Sequence, residues 1–235
     1  MLNLADQVVV VTGAAGNLGQ AVVELFLEAG CRVVALDHRQ GRLDAIFPQA
    51  DDKLHFFEGV DSADREAMLA VAREIISAVG PVDVLVNTVG GFTMGQRVDE
   101  ITSDTWEHMM NLNVHAFLNA AAAFVPGMVS AGSGKIVTIG AGAALKGGAR
   151  VGAYSAAKSA LLRLTESLAA ELKTSHIQVN CVLPGTIDTP QNRQAMPDAH
   201  FERWVKPEQV AHAILFLSSS AADAITGAAI PVPGG

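Results

Sequence analysis

The sequence predicts an α/β fold: a single domain over residues 1–235, built on one doubly wound parallel sheet of about seven strands with helices on both faces. Three observations carry that expectation. Short β-branched runs without polar alternation recur along the chain, the pattern of strands buried on both faces. Segments with apolar residues at helical spacing separate them, and that strict alternation calls for crossover connections and hence parallel strands. Finally, 235 residues that are 50% hydrophobic suffice for one large core, and no linker divides them.

Residues 7–12, Gln-Val-Val-Val-Val-Thr, read as the first strand, followed by Thr12-Gly13-Ala14-Ala15-Gly16-Asn17-Leu18-Gly19 and a helix over 21–29 that Gly30 terminates. Such a loop leaves free N–H groups at a helix N-terminus, where the macrodipole favours a pyrophosphate and small residues let it come close. A tight turn with no ligand would read the same way. The second strand, 32–36, ends in Asp37, placed to accept hydrogen bonds from an adenosine ribose and to repel a 2′-phosphate. That favours NAD(H), while His38 and Arg39, which follow directly, keep NADP(H) possible.

A third strand over 54–60 ends in Asp61-Ser62, which either cap a helix beginning near Ala63 or line an adenine pocket. Gly80-Pro81 breaks that helix after Val79, and the fourth strand, 82–86, runs into Asn87-Thr88-Val89-Gly90-Gly91. Thr102-Ser103-Asp104 opens a long helical pattern reaching Val129, with Asn111 and Asn113 inside it; an interior amide needs a partner such as a backbone carbonyl or a water. Residues 135–139 form the fifth strand and 177–183 the sixth, which Pro184-Gly185 stops. Between them lies a helix over 154–172 with a core-facing apolar stripe. Residues 186–206 read as irregular, yet include Met196, Phe201 and Trp204: an active-site lid, or a surface loop pinned by an aromatic. A last helix runs from Pro207 to Leu217, and residues 228–232 close the sheet.

Chemistry concentrates at Tyr154-Ser155-Ala156-Ala157-Lys158. On a helix the phenol and the amine share a face, and a cation beside a phenol brings its pKa down from about 10 towards the working range. An ordinary amphipathic surface pair would have the same spacing. Tyr154 is the only tyrosine, and it follows the glycine-rich stretch 140–152, which suits a backbone that approaches a ligand. Phe92 and Met94 face either the same pocket or the core; Arg150, Lys146 and Arg193 are placed to meet an anionic substrate or are plain surface bases.

Composition excludes other classes. A net charge of −8 with no basic cluster argues against nucleic acid or an anionic membrane as partner. No leader and no uninterrupted apolar run of about 18 residues is present, so a cytoplasmic protein is expected. Cys31 and Cys181 read as buried, reduced packing residues, and the seven histidines lack ligand spacing, so no metal is expected.

Taken together, Thr12-Gly13-x-x-x-x-x-Gly19, Asp37, Asp61, Asn87-x-x-Gly90, Asn113, Tyr154-x-x-x-Lys158 and Pro184-Gly185 stand in the order and spacing of the classical short-chain dehydrogenase/reductase family, which the chain resembles over essentially its whole length. The resemblance implies a Rossmann-type fold holding a nicotinamide cofactor across the carboxyl ends of the strands. It implies Tyr154 as general acid/base, Lys158 lowering its pKa and holding the nicotinamide ribose, and Asn113 keeping a water for proton relay. Cofactor contacts are implied for Gly13, Gly16, Asn17, Leu18 and Gly19, for Asp37, His38, Asp61 and Ser62, for Asn87, Val89 and Gly90, and for Pro184, Gly185 and Ile187 beside Tyr154 and Lys158. A homodimer or homotetramer packed through the helices near 104–130 and 154–172 is implied as well.

Two positions depart from the family pattern. Asn17 replaces a glycine, which asparagine's tolerance of positive φ accommodates. The serine position 13 residues before the tyrosine is Ala141, between Gly140 and Gly142. Losing one oxyanion donor costs about 2.7–4 kcal/mol in acyl-transfer enzymes, so a site without that hydroxyl suits an acceptor that is already electron-poor, such as a quinonoid or iminium-like ring. Dihydropteridine reductase, a member of the family, also lacks the serine; residues 183–204 and the turn Val89-Gly90-Gly91-Phe92 are similar to its substrate side, whereas Asn113 is the classical residue. The expected function is hydride transfer between nicotinamide and a small carbonyl or quinonoid acceptor; the alternative is a cofactor-binding regulatory or scaffold protein whose catalysis was lost with the serine.

Overall fold

The computed structural model describes residues 3–48 and 52–235. Its centre is a seven-stranded, wholly parallel sheet in the order β3-β2-β1-β4-β5-β6-β7. In chain order the elements are β1 (Val8–Thr12), α1 (Asn17–Glu28), β2 (Arg32–Asp37), the short α2 (Leu43–Ile46), β3 (Leu54–Glu58), α3 (Arg65–Ala78) and β4 (Val84–Asn87). The second half adds α4 (Ser103–Met110), α5 (Ala116–Ala131), β5 (Gly134–Ile139), α6 (Gly152–Leu172), β6 (Ile177–Pro184), α7 (Pro190–Ala195), α8 (Pro207–Ser218) and β7 (Ala229–Val232).

The two-sided burial read from the β-branched runs is present. In β1, Val9 and Val11 pack towards α1 and α8, while Val8 and Val10 face α3, α5 and α6. All four are at most 1% exposed, and each such valine stabilises the fold by about 1.5–3 kcal/mol. The chain leaves β1 towards β2 on one side and, after β3, crosses to β4 on the other; this reversal opens a crevice at the carboxyl ends of the strands.

Local details differ from the sequence reading. Helix α3 starts at Arg65 and is capped by Asp64, whose carboxylate accepts from Glu66 N (2.9 Å) and Ala67 N (3.1 Å); Asp61 instead turns the preceding loop by accepting from Ala63 N at 2.8 Å. Two aspartates three residues apart offer the same cap, and the one that wins is adjacent to the first helical residue. The long helix is interrupted by a π-helical turn over Asn111–His115. By length and composition alone the stretch Ser103–Ala131 would pass for a membrane span, yet Phe117, Ala120, Phe124 and Met128 are buried within the sheet's second face. The 186–206 segment is not irregular throughout: α7 lies inside it, and Ile187 bridges to Val205 as a short strand pair. Thr189 caps α7 and Pro190 occupies its first turn, a start signal present in the sequence. Cys31 and Cys181 are buried and unbridged.

Candidate active site

A cleft of about 640 Å³ opens over the carboxyl ends of the strands. One wall is the loop between β1 and α1. Gly13 takes φ 69°, and a Cβ there would stand 3.2 Å from Val89 N. At Gly19 a Cβ would lie 2.8 Å from Ala14 Cα and closer still to the Gly13 carbonyl oxygen, so this position has no room for a side chain. Because both obstacles are backbone, Gly19→Ala is expected to displace the loop and weaken dinucleotide binding at least about tenfold, read by fluorescence titration; unchanged affinity would mean that the loop yields without cost.

Asn17 is not in the left-handed region. It is the first residue of α1, with Gly16 extended before it, and its amide donates to Gln191 Oε1 on α7 at 2.9 Å. A glycine is therefore not required there, since the helix begins four residues earlier than expected and imposes right-handed geometry.

Asp37 ends β2 and is 3% exposed. Its carboxylate accepts from Ala15 N (3.0 Å), Arg39 N (3.0 Å) and Arg39 Nε (3.1 Å), with His38 Nδ1 at 3.4 Å. Burial pushes its pKa up, but the Arg39 and Ala15 hydrogen bonds and the Arg39 charge outweigh it and hold the group below the usual carboxylate value. Ser62 is buried, and its carbonyl accepts from Asn119 Nδ2 at 3.1 Å.

The opposite wall comes from β4, β5 and α6. Thr12 Oγ1 donates to Asn87 Oδ1 at 2.9 Å, tying β1 to β4, and Thr88 Oγ1 donates to Thr12 O at 2.7 Å. Sequence reasoning overlooked this threonine pair, which only the strand register joins. Asn113 lies in the π-helical turn, fully buried; its amide nitrogen donates to Gly91 O (3.1 Å) and Met109 O (3.0 Å), while Oδ1 accepts from Gly91 N at 3.2 Å. The interior amide thus has its partners: it clasps the loop after β4. A Cβ on Gly90 would sit 3.0 Å from both Asn113 Oδ1 and Lys158 Nζ, so both side chains press on the same face of that glycine.

Tyr154 and Lys158 both line the cleft from α6. Tyr154 meets Phe92 edge to face at 4.9 Å, and burial pushes its pKa up to about 12. Lys158 is 4% exposed, donates to Ile139 O at 2.8 Å, and stands 6.0 Å from the Tyr154 ring centroid. Desolvation lowers its pKa to about 8, with Cys181 acting weakly the other way. The downward shift expected for the phenol is therefore reversed, because the ammonium is turned to a carbonyl and desolvation dominates at both groups.

A lysine held near 8 instead of 10.5 costs about 3 kcal/mol at neutral pH, and replacing it leaves Ile139 O without its partner, a loss of about 1 kcal/mol. Lys158→Met is expected to raise stability to urea by about 2 kcal/mol at pH 7. Between pH about 8 and 10.5 the unfolded chain binds the extra proton, so wild-type stability rises with pH and the gain shrinks. A pH-independent difference would refute the buried charge.

Ala141 and Gly142 also line the cleft, so the family's serine position faces it without a hydroxyl. Thr138, the nearest hydroxyl along β5, is buried against Thr165 at 3.0 Å and is no substitute. From the far side come Pro184, Gly185 and Ile187; a Cβ on Gly185 would press on Pro233 of the C-terminal segment. Phe92, Met94 and Met196 line the mouth. Arg193 is chelated by Asp188 (2.6 and 2.8 Å) and lies 4.8 Å over the Phe201 ring, which meets Trp204 edge to face at 4.9 Å; Arg150 donates to Gly95 O at 2.8 Å. These arginines and the aromatic pair hold the loops in place.

The residues fit a dinucleotide. The loop is cleared of side chains at Gly13 and Gly19, and Asn87 Nδ2 is a buried donor left without a partner at the carboxyl end of β4. A glycine loop opening a helix at the switch point of a parallel sheet, with a tyrosine and a lysine on the facing wall, defines the class of dinucleotide-dependent oxidoreductases. The chain belongs to the short-chain dehydrogenase family, whose profile matches residues 7–200. It is 30% identical to the 3-oxoacyl-acyl-carrier-protein reductase FabG of Thermotoga maritima, over 100% of this chain and 99% of that one. With the NAD-dependent glycerol dehydrogenase of Listeria innocua it shares 32% identity over 99% and 94% of the two chains. A gluconate 5-dehydrogenase from Burkholderia cenocepacia, solved with NADP and tartrate, superposes with a TM-score of 0.92 at 27% identity, covering 100% of this chain and 96% of its own. The protein is accordingly an NAD(P)-dependent short-chain dehydrogenase/reductase.

Proposed function

We propose that the protein is an NADH-preferring reductase that moves a hydride between nicotinamide and a small carbonyl or quinonoid, dihydropteridine-like acceptor. The observation that supports this is the convergence of Tyr154, Lys158 and the glycine loop on one cleft in which Ala141 offers no hydroxyl. The nicotinamide, when bound, supplies or accepts the hydride. Gly13, Gly16, Asn17, Leu18 and Gly19 hold its pyrophosphate; Asp37 and His38 meet the adenosine ribose, with Asp61 and Ser62 beside the adenine. Asn87, Val89 and Gly90 support the other half, and Pro184, Gly185 and Ile187 flank it. An ionised Asp37 disfavours a 2′-phosphate, and the Arg39 beside it softens that preference.

Tyr154 is the proton donor. With its pKa up near 12 the phenol is neutral at pH 7, the form that reduction needs. Lys158 places a positive charge below it and holds the ribose, and Asn113 keeps a water for relay. The acceptor must be electron-poor in its own right, because no serine polarises it.

The test is oxidation of NADH, with NADPH in parallel, on a quinonoid dihydropterin and on a simple ketone. Turnover of the dihydropterin alone, faster with NADH, is the expected result; turnover of the ketone would assign the missing donor to another group. Ala141 also motivates a second reading, a cofactor-binding protein without catalysis, whose signature is NADH binding with neither acceptor reduced. We further propose a cytoplasmic homodimer or homotetramer packed through α4, α5 and α6, in keeping with the half-exposed Trp106, Leu118 and Val129; sedimentation mass checks it.

A further inference from the structure

We infer that the acceptor is a neutral, flat aromatic molecule bearing a reducible carbonyl or imine already activated by its own electron-withdrawing neighbours, selected by Phe92, Met94 and Met196. The inference rests on the reductase reading and narrows it. Phe92, Met94 and Met196 line the cleft yet are 58%, 63% and 38% exposed, an apolar surface left open at a binding site. Phe92 packs edge to face on Tyr154, so that surface is continuous with the proton donor. A ring lying there meets one aromatic partner and two flexible thioethers, which mould to flat faces.

Charge and polarity point the same way. Among the described residues lining the cleft, Tyr154 and Lys158 are the only ionisable ones, and the Lys158 ammonium is buried against Ile139 O. Arg193 is committed to Asp188 and Arg150 to Gly95 O, so a substrate carboxylate or phosphate finds no counter-ion here. Hydroxyls on the cleft wall are few: Thr88 Oγ1 is spent on Thr12 O, which leaves Thr186 and Thr189 as the threonine hydroxyls that can donate to a substrate. With alanine at 141, the acceptor must carry its own activation, such as a second carbonyl beside the one reduced, while the ring supplies recognition.

Three diketones of similar reactivity separate these possibilities: 1-phenyl-1,2-propanedione, its para-carboxylate and 2,3-butanedione. Their affinities for the protein saturated with NAD+ are measured by calorimetry, apart from turnover. The phenyl compound is expected to bind at least about tenfold more tightly than either of the others. Phe92→Ala and Met196→Ala should each lower the ratio of aromatic to aliphatic affinity several-fold, and Met94→Lys should raise affinity for the carboxylate. Equal affinities, a preference for the carboxylate, or no binding of the phenyl compound would overturn the inference. NADH oxidation on the same diketones tests the reductase reading separately: tight aromatic binding without turnover would sink that reading alone, and turnover without aromatic preference would sink this one alone.

Discussion

Tyr154→Phe is expected to lower kcat about 10²- to 10⁴-fold while leaving NADH affinity nearly unchanged. General acid catalysis by a placed side chain is worth that range, and the substitution removes only the phenolic oxygen. The ring that packs on Phe92 stays, so the cleft keeps its shape. A loss in kcat and kcat/KM together, with the binding isotherm preserved, assigns the oxygen a role in the transition state. If turnover persists, the proton comes from elsewhere and Tyr154 is a packing residue. If NADH binding falls in parallel, the phenol belongs chiefly to the cofactor site.

The second large effect is a gain. Ala141→Ser is expected to raise kcat/KM for a simple ketone about 10²- to 10³-fold, the worth of one donor to a developing oxyanion. Ala141 has extended backbone (φ −165°, ψ 163°), which serine adopts without strain, and it lines the cleft half-exposed, so the new hydroxyl needs no rearrangement. A surface change of one oxygen should move stability by no more than about 0.5 kcal/mol. Steady-state rates on the ketone and on the quinonoid acceptor, side by side, check it: the ketone should gain and the activated acceptor should hardly change. Equal gains on both would mean that the hydroxyl positions substrate, and no gain would mean that a donor such as Thr186 already occupies that role.

The parts legible from the chain are those decided within a few residues. β-branched runs marked most strands of the sheet, though not β3 with its Leu-His-Phe-Phe-Glu, and the glycine loop marked the turn into α1. The i, i+4 spacing put Tyr154 and Lys158 on one face of α6, and the structure aims both into the cleft. Phe92 and Met94, left open between pocket and core, line the pocket. Where local signals were duplicated the reading slipped: Asp61 and Asp64 compete for one cap, and adjacency to Arg65 decides it. The cap and proline that start α7 were present in the sequence but outweighed by the polar, irregular look of the surrounding segment.

By itself, then, the sequence determined the fold class, the glycine loop between β1 and α1, the acidic end of β2, the tyrosine–lysine pair and the vacancy at Ala141, because each depends on backbone preference or on spacing along one element. Only the tertiary structure decided which partners these groups find. It turned Lys158 to the Ile139 carbonyl, raised the pKa of Tyr154 instead of lowering it, tied Asn17 to Gln191 and took Arg193 for Asp188. Desolvation and pairing across distant segments set those outcomes, and both depend on which elements the sheet order brings side by side.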